Sequence, residues 1–292
     1  MRIGAVILNY NDYESTHELL EQIRTYASIT VICVVDNCSS DNSWELLDCY
    51  SYCPQIHLIR NTVNNGYAAG NNIGCRYIVE NDLADVIFII NPDVKIEENA
   101  FKKISSMFEK HAEYVALTGV MYAADGSIAD RQYIRVPTYI QDFLLCFYSY
   151  NRFYERKYPA VIQCNGEIMQ TDAIFGSMWA IRAQAMQSID YMDEGTFLFY
   201  EELCTAMRLR EYNSNWKIGV VTDVKYIHNH SVTIKKSSSE LNTFIMYMRS
   251  KLYFEKKYHH LSKVKYGLLK FATSIATIEE AIKVRLDKLK YK

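Results

Sequence analysis

The chain has 292 residues, enough to bury the core of one large domain that carries a tail. Its formal net charge of −2 argues against a general nucleic-acid binder, and no stretch reaches the roughly 18 consecutive apolar residues of a membrane span. Eight cysteines, none of them spaced C-x-x-C, fit reduced thiols in the cytosol better than a disulfide framework or a zinc site. We therefore expect a cytoplasmic protein with no nucleic-acid partner.

The first 120 residues alternate between strand and helix patterns. The predicted strands are Ile3–Leu8, Thr30–Val35, Ile56–Arg60 and Val86–Ile90. The predicted helices are Glu14–Tyr26, Asn42–Tyr50, Ala69–Glu80 and Glu97–Lys110. Asp41 is placed to cap the second of these helices. Strands that alternate with helices favour an α/β fold with a mostly parallel, Rossmann-like sheet flanked by helices.

The second half of the chain has a less regular pattern. Tyr114–Tyr122 is predicted to be a strand, followed by a hairpin-type turn at Asp125-Gly126. The aromatic stretch 138–148 has no clean period, and we interpret it as a packed helix rather than a loop that lies on lipid or acceptor. From Leu241 onward the pattern predicts a basic helical extension.

The end of this extension is both apolar and basic. Residues 251–292 hold 11 Lys or Arg against 4 Asp or Glu, and their apolar residues recur at helical spacing. The pattern is typical either of a surface helix with a solvated basic face or of an interfacial helix on anionic lipid. Packing on the rest of the chain and contact with a second copy are further alternatives.

Asn91-Pro92-Asp93 follows the apolar run Val86–Ile90. Because proline cannot continue a strand ladder, the chain must turn here, and Asp93 is presented just past the carboxyl end of a core strand. Ligands bind at that edge of open α/β sheets, and a carboxylate there can hold a divalent cation that bridges phosphate oxygens. The same residues also form ordinary turns.

Polar segments follow other strands of the predicted sheet. Asn9-Tyr10-Asn11 follows the first strand, and Asp36 follows the second, where its carboxylate can accept hydrogen bonds from a base edge or a ribose hydroxyl. Residues 64–74 open a helix with three glycines spaced G-x3-G-x3-G, which is not the dinucleotide-binding fingerprint. The glycines allow close backbone approach, and the asparagines of this segment offer donors and acceptors. Together these segments predict a nucleotide site.

Two further candidates lie in the second half. Glu201-Glu202 begins a predicted helix, where adjacent acids either stabilise the helix dipole or include a general base with a raised pKa. His228 and His230 follow a probable strand. A single histidine usually has a structural role, but two of them beside a candidate metal carboxylate make a ligand role reasonable.

Seven segments, taken in order, resemble the bacterial family 2 glycosyltransferases, inverting enzymes with the glycosyltransferase A fold. The likeness is greatest to the rhamnosyltransferase-type subgroup that builds O-antigen, capsule or exopolysaccharide, and it covers residues 1 to about 235. The segments are LNY, VVDN, NNGYAAGNNIG, INPDV, GSMWAIR, FLFYEE and IHNHS.

The resemblance implies a role for each candidate residue. Asp93 would ligate Mg²⁺ or Mn²⁺ on the donor diphosphate, with His228 completing the metal site. Glu202, with Glu201 beside it, would be the catalytic base. The residues implied to hold the sugar nucleotide are Asn9, Tyr10, Asp36, Asn65, Gly66, Asn71, Asn91 and Asp93.

The sequence departs from the family pattern at three positions. Cys38 stands where the family has a glycine, and Glu202 stands where it has an aspartate. The second acid of the family motif is Cys204 in this chain. The extra methylene of Glu202 changes the reach of the base.

We expect an inverting hexosyltransferase that moves a sugar, rhamnose as the first hypothesis, from a dTDP- or UDP-sugar donor. The acceptor would be a growing saccharide linked to polyprenyl diphosphate, which favours peripheral contact of 251–292 with the inner face of the cell membrane. A homo-oligomer is the other contact that this tail could make. The expected catalytic domain spans 1–240, with a nucleotide-sugar half at 1–120 and a catalytic half at 121–240, and the helical extension spans 241–292.

Two other functions fit parts of the pattern. A sugar nucleotidyltransferase also uses an α/β sheet and a metal, but it would carry a glycine-rich basic loop after the first strand, where this chain has Asn9-Tyr10-Asn11. A non-catalytic protein that binds nucleotide sugars or scaffolds an assembly is the second alternative.

Overall fold

The computed structural model describes residues 1–129, 134–147, 150, 166–229 and 239–290. Its strands are β1 Ile3–Asn9, β2 Ile29–Asn37, β3 Ile56–Asn61, β4 Val86–Ile90, β5 Val94–Ile96, β6 Tyr114–Tyr122, β7 Ile168–Thr171, β8 Met178–Arg182 and β9 Lys217–His228. Its helices are α1 Tyr13–Ile23, α2 Ser43–Leu47, α3 Tyr67–Glu80, α4 Glu98–Lys110, α5 Tyr139–Leu144, α6 Ala183–Ser188, α7 Glu201–Tyr212, α8 Glu240–Tyr258 and α9 Lys263–Lys290. Each predicted strand and helix therefore exists, within a few residues of its expected bounds.

The described strands form one sheet in the order β3-β2-β1-β4-β8-β6-β9-β5, and β7 pairs with β9 beside this path. The first four strands are parallel, as the alternating pattern predicts. In the second half, β8 lies antiparallel between β4 and β6, and β5 lies antiparallel to β9. The α/β prediction is confirmed, with a parallel N-terminal half joined to a mixed C-terminal half.

The central strand β4 is buried along its whole length, which explains its unbroken apolar run. Helix α3 packs unusually close to the neighbouring strand β1. A Cβ on Gly70 would lie 2.5 Å from Leu8 Cδ1, and one on Gly74 would lie 2.7 Å from Val6 Cγ1. Because residues four apart share one helix face, these two glycines serve the packing of α3 on the sheet.

The strands β5, β7 and β8 were not predicted, and the other differences from the predicted elements concern their ends. Asp36 lies inside β2 rather than after it, since the parallel pairing with β1 continues to the pair Asn9–Asp36. Helix α1 ends at Ile23, and the predicted helix at 42–50 divides into α2 and a 3₁₀ turn. The N-cap of α2 is Asn42, although Asp41 Oδ1 still accepts the amide of Ser43 at 3.0 Å.

The aromatic stretch forms the short helix α5, which begins with a capping box made by Thr138 and Gln141. The packed-helix interpretation is confirmed for the described residues, and Tyr148 lies outside them. Helices α5, α8 and α9 meet in a small apolar cluster that contains Cys146, Met248 and Leu269. The predicted helical extension is thus present, and one face of it packs on the rest of the chain.

Helix α8 also contacts the segment that precedes α7. Ser250 Oγ donates to the carbonyl oxygen of Leu198 at 2.7 Å, and Tyr253 OH donates to Asp193 Oδ1 at 2.8 Å. The predicted boundary at residue 240 therefore falls at the start of a helix that is bonded to the catalytic half. Among the helices described, none combines the length and the hydropathy needed to cross a membrane.

Candidate active site

Strand pairing between β5 and β9 brings Asp93 next to His228. Val94 is paired with His228 in the antiparallel register, and the amide of Asn229 donates to the carbonyl oxygen of Asp93 at 3.1 Å. His228 Nε2 lies 3.2 Å from Asp93 Oδ1, and these side chains are 11% and 8% exposed. Two residues from distant parts of the chain, each a candidate metal ligand by sequence, therefore meet. His230 lies outside the described residues.

The chemistry and spacing of this pair fit a divalent cation. Mn²⁺ accepts both carboxylate oxygen and imidazole nitrogen, and Mg²⁺ is usually held by one or two carboxylates together with substrate phosphates. Adjacent ligands of an octahedral ion, each about 2.1 Å from it, lie about 3.0 Å apart. The separation of 3.2 Å between the two ligand atoms is close to that value. Within the described residues, no third His, Cys, Asp or Glu joins them in a metal-binding group.

A polar cleft of about 290 Å³ lies beside Asp93, between α1 and β5. Its polar side chains include Glu18, Gln22, Lys95 and Asn229. Of the two metal-ligand candidates, Asp93 lines this cleft.

The two acids predicted at a helix start form the first turn of α7. Glu202 Oε1 accepts the amide of Gly176 at 3.0 Å, and Glu201 is almost fully buried. Burial, and then the charge of Glu202, raise the pKa of Glu201 well above its ordinary value. Burial also raises the pKa of Glu202, although the Gly176 amide opposes that shift. The pair therefore holds a proton more strongly than isolated carboxylates do, as a general base requires.

The backbone immediately before this pair is strained. Phe199 has φ of 71° and Tyr200, the N-cap of α7, has φ of 68°. The left-handed region is costly for aromatic residues, by roughly 1–3 kcal/mol each, and such residues cluster at functional sites. The turn directs Glu202 towards Gly176, so the orientation of the acid pair depends on a conformation that the surrounding structure must maintain.

Tyr67 connects the two groups of candidates, and sequence reasoning did not identify it. Its hydroxyl lies 3.0 Å from Asn91 Oδ1 and 2.7 Å from the carbonyl oxygen of Gly176. Burial, followed by the charges of Glu201 and Glu202, raises its pKa well above the ordinary value, so Tyr67 stays protonated and can donate. The only signal in the sequence is that Tyr67 is the single aromatic residue of the NNGYAAGNNIG segment.

The strand-end residues assigned to the nucleoside lie in an internal hydrogen-bond network. Asn9 and Asp36 are fully buried, and Asn9 Nδ2 donates to Asp36 Oδ1 at 2.8 Å. Asp36 also accepts the hydroxyl of Ser39 at 2.6 Å, while Thr16 donates to Asn9 at 2.8 Å. These contacts hold the ends of β1 and β2 together. The nucleoside roles of Asn9 and Asp36 stay predictions.

The remaining candidates differ in accessibility. Tyr10 is half-buried and Asn65 is exposed. Asn71 is buried and donates to the carbonyl oxygen of Tyr67 at 3.0 Å, while its own Oδ1 has no hydrogen-bond partner among the residues that the structure describes. The nucleotide-binding roles of Tyr10, Asn65 and Asn71 therefore also stay predictions.

Gly66 is required by a protein contact. Its φ is +102°, and a Cβ built there would lie 2.2 Å from the carbonyl oxygen of Phe197. The same carbonyl accepts the amide of Tyr67 at 2.8 Å. Gly66 thus allows the segment before the acid pair to approach the start of α3, in addition to any role towards a nucleotide.

Known proteins resemble this chain in sequence and in fold. The sequence profile of Glycosyl transferase family 2 matches residues 5–182. The low-salt glycan biosynthesis hexosyltransferase Agl10 of Haloferax volcanii is 25% identical over 243 residues, which cover 83% of this chain and 72% of that protein.

Two solved structures share the fold at low sequence identity. The mannosyltransferase PcManGT of Pyrobaculum calidifontis, in complex with GDP-Man and Mn²⁺, superposes with a TM-score of 0.59 at 12% sequence identity. That alignment covers 97% of this chain and 75% of the PcManGT chain. Residues 1–349 of S. aureus TarS, in complex with UDP-GlcNAc, superpose with a TM-score of 0.55 at 15% sequence identity. That alignment covers 92% of this chain and 70% of the TarS chain. The glycosyltransferase A fold expected from the sequence is confirmed.

Proposed function

The chain belongs to glycosyltransferase family 2, and on that premise we propose that it transfers a hexose from a nucleoside diphosphate donor with inversion at the anomeric carbon. It is a glycosyltransferase that uses a nucleotide-sugar donor. The inversion, the metal, the sugar and the acceptor are the parts that we propose.

The observation that carries the proposal is the position of the Tyr67 hydroxyl. It contacts Asn91, two residues before Asp93, and the carbonyl oxygen of Gly176, whose amide donates to Glu202. One side chain therefore connects the turn that carries a metal-ligand candidate with the segment that holds a candidate base. A transferase needs both groups around one reacting bond.

In this proposal each residue has a separate task. Asp93 and His228 would hold the divalent cation, which would offset the negative charge on the departing diphosphate. Glu202 takes the proton from the acceptor hydroxyl as that oxygen attacks the anomeric carbon, and its raised pKa suits this transfer. Glu201, buried beside it, has its own pKa raised by burial and then by the charge of Glu202, which favours a neutral Glu201 next to the charged base.

We further propose a dTDP- or UDP-sugar as donor, with rhamnose as the first sugar to test. The acceptor would be a saccharide on polyprenyl diphosphate, in the synthesis of a cell-surface polysaccharide such as O-antigen or capsule. The related hexosyltransferase of Haloferax volcanii acts, by its name, in glycan biosynthesis, which supports a glycan acceptor. A lipid-linked acceptor places the enzyme at the inner face of the cell membrane.

A thermal-shift screen of nucleotide sugars, with Mn²⁺ and with EDTA, tests the donor and the metal together. A ligand that binds only the folded state raises the melting temperature by mass action, so a true donor should give a shift that depends on Mn²⁺. No shift with any donor would contradict the proposal.

Turnover separates the alternative functions. Slow release of free nucleoside diphosphate from the donor supports a transferase. Formation of nucleotide sugar from a nucleoside triphosphate and a sugar phosphate would identify a nucleotidyltransferase. Donor binding with no turnover, in the presence of saccharide acceptors, would identify a non-catalytic binding protein.

A further inference from the structure

Helix α9 carries an exposed apolar stripe along its whole length. Of the fifteen large hydrophobic side chains that are exposed among the described residues, seven lie on this one helix. They are Val264, Leu268, Phe271, Ile278, Ile282, Leu286 and Leu289. At 3.6 residues per turn they fall within a sector of about 80°, on a helix about 40 Å long. Such a surface is too long and too regular to be scattered exposure.

A neighbouring flank of α9, about 110° round the helix from the stripe, is already used. Leu269, Ala272 and Ala276 are buried in the cluster with α5 and α8. The helix is therefore docked on the protein by one face while its stripe points elsewhere. Packing on the rest of the chain, one of the alternatives left by the sequence, accounts for the buried face but not for the stripe.

The charges beside the stripe decide which partner fits it. At about 100° per residue, Lys263, Lys270 and Arg285 lie along the free margin of the stripe, and the margin next to the docked face holds Glu279 beside Lys265 and Lys283. Lys283 is paired with Glu280 at 3.0 Å, and Lys265 Nζ lies over the ring of Tyr139, so this second margin is mixed and partly engaged. The free margin carries only basic charges, which is the arrangement of an interfacial helix on an anionic surface.

A second copy of the chain fits these charges poorly. Spacings of three and four residues along the stripe also occur in coiled-coil seams. In an antiparallel pair of α9 helices, however, the basic margins of the two copies would face each other, and like charges there are unfavourable. In a parallel pair the basic margin would face the flank that α5 and α8 already cover. We propose that the α9 stripe docks on an anionic lipid bilayer, with Lys263, Lys270 and Arg285 at the headgroups.

Vesicle co-sedimentation of the full chain tests this proposal without any donor or acceptor, so it is independent of the transferase assignment. We expect binding to phosphatidylcholine vesicles that contain phosphatidylglycerol, weaker binding in high salt, and little binding to phosphatidylcholine alone. The double variant Phe271→Ser/Ile278→Ser should bind at least about tenfold more weakly, because two side chains no longer enter the interface.

The matched control removes two exposed apolar side chains elsewhere, in Tyr52→Ser/Ile128→Ser, and should bind vesicles as the wild type does. Equal binding of all three proteins, or equal binding to neutral and anionic vesicles, would overturn the proposal. So would a concentration-dependent dimer, seen by light scattering and lost in Phe271→Ser/Ile278→Ser, together with no vesicle binding. That result would assign the stripe to a second copy.

A different set of contacts links helix α8 to the acid pair. Tyr200, the residue before Glu201, donates its hydroxyl to both oxygens of the Asp142 carboxylate at 3.1 and 3.0 Å. Lys251 Nζ lies 3.4 Å from Asp142 Oδ1 and donates to the Asp142 carbonyl oxygen at 3.0 Å. Both charged side chains are buried, at 0% and 1% exposure. Removing either charge would leave the other uncompensated.

The ring of Tyr200 is held by the same helix. Its centroid lies 5.4 Å from those of Tyr247 and Phe254, which flank Lys251 on one face of α8. Tyr200 is the second of the two left-handed residues, so these contacts offset the strain of the turn. Burial alone would lower the pKa of Lys251, but Asp142 outweighs it and raises that pKa, which keeps Lys251 charged.

We infer that Tyr200, held by Asp142 and Lys251, is a positioning residue for the catalytic base. This inference rests on the proposed role of Glu202. It means that α8, beyond the part of the chain matched by the family profile, helps to form the active site. A small rotation of the turn would move Glu202 relative to Gly176, and displacements near 1 Å can cost about 10²-fold in rate.

Tyr200→Phe keeps the ring and removes only the hydroxyl that Asp142 accepts. We expect kcat for transfer to fall about tenfold while the KM for the donor is unchanged, because the donor site does not involve Tyr200. The matched control is Tyr253→Phe on helix α8. It removes a hydroxyl that donates to Asp193 and should leave kcat unchanged.

A purely structural role would lower the melting temperature of both variants without separating their kcat values, and that result would overturn the inference. Lys251→Met combined with Asp142→Asn removes both buried charges and should also lower kcat, since Tyr200 then loses its charged partner. If Tyr200→Phe is unaffected while Glu202→Gln is inactive, the positioning role is wrong and the base assignment stands.

Discussion

The two groups of candidate site residues, Asp93 with His228 and Glu202 with Glu201, are held in different ways. Asp93 meets His228 because β5 pairs with β9, so the backbone ladder itself sets the distance of 3.2 Å. Glu202 is oriented by a left-handed turn whose conformation depends on side chains of α5 and α8. A ladder in the sheet tolerates changes in neighbouring side chains, whereas a strained turn depends on each of its contacts. The geometry of the proposed metal-ligand pair should therefore be the more robust of the two.

The largest effect is expected from Asp93→Ala, which removes the carboxylate from the pair. If this residue holds the cation, turnover should fall at least about 10³-fold and the Mn²⁺-dependent thermal shift by the donor should disappear. The melting temperature without ligand should change little, because the β5–β9 ladder remains. His228→Ala should act in the same direction but less completely, since water can replace the imidazole. Metal-dependent turnover retained in Asp93→Ala would show that the pair does not bind the metal.

The second effect separates the two neighbouring acids. Glu202→Gln keeps the size and the hydrogen-bonding reach of the side chain but removes its basicity, so transfer should fall roughly 10²–10⁴-fold. Donor affinity should be nearly unchanged, as measured by the thermal shift, because the base acts on the acceptor. Glu201→Gln is the control and should keep more activity. An active Glu202→Gln beside an inactive Glu201→Gln would move the role of base to Glu201.

The third effect concerns stability in the region that holds the turn. Asp193 is buried and accepts hydrogen bonds from Tyr253, Lys257 and Tyr258 of α8. Burial alone would raise the pKa of Asp193, but these donors outweigh it and lower that pKa below its ordinary value of 3.8. Asp193→Asn should reduce the free energy of unfolding by about 2 kcal/mol at neutral pH.

The sign of its pH dependence follows from the lowered pKa. The unfolded state binds the Asp193 proton more strongly than the folded state does, so this contribution is fully present above 3.8 and is lost as the pH falls through the lowered folded pKa. Urea unfolding should therefore show a difference between wild type and Asp193→Asn that shrinks in acid. A difference that stays constant down to the lowest pH would contradict the assignment to the carboxylate.

The smallest effect tests the departure of the sequence from its family at Cys38. This residue has φ of 61°, in the region that favours glycine. Cys38→Gly should remove that strain and stabilise the fold by roughly 0.5 kcal/mol, after the larger chain entropy of glycine in the unfolded state is counted. Cys49→Gly, at a position without positive φ, should lower the melting temperature instead. A lower melting temperature in both variants would show that the positive φ of Cys38 does not limit the stability of the fold.

The local pattern of the sequence was sufficient for most of the fold. Apolar runs and helical spacing predict the strands and helices of the first 122 residues except the three-residue strand β5, because burial imposes its period on a chain only where an element is long enough to show it. The carboxyl ends of parallel strands share one edge, so Asp93 could be placed at a ligand-binding edge before any contact was known. The first turn of α7 was predicted in the same way from Glu201-Glu202, whereas the ends of α1 and α2 were displaced by local turns.

Only the tertiary structure decided which of these residues meet and what holds them. The pairing of Asp93 with His228 depends on the register between β5 and β9. The need for a glycine at Gly66 depends on the carbonyl oxygen of Phe197, more than a hundred residues away in the chain. The contacts of Tyr67 and of Tyr200 depend likewise on segments far apart in the chain. The period of the apolar residues shows on which side of its helix or strand a residue lies. It carries no information about which residue of another element will contact it. Hydrogen bonds and strained turns are set by that partner, so their roles became visible only when the helices had packed on the sheet.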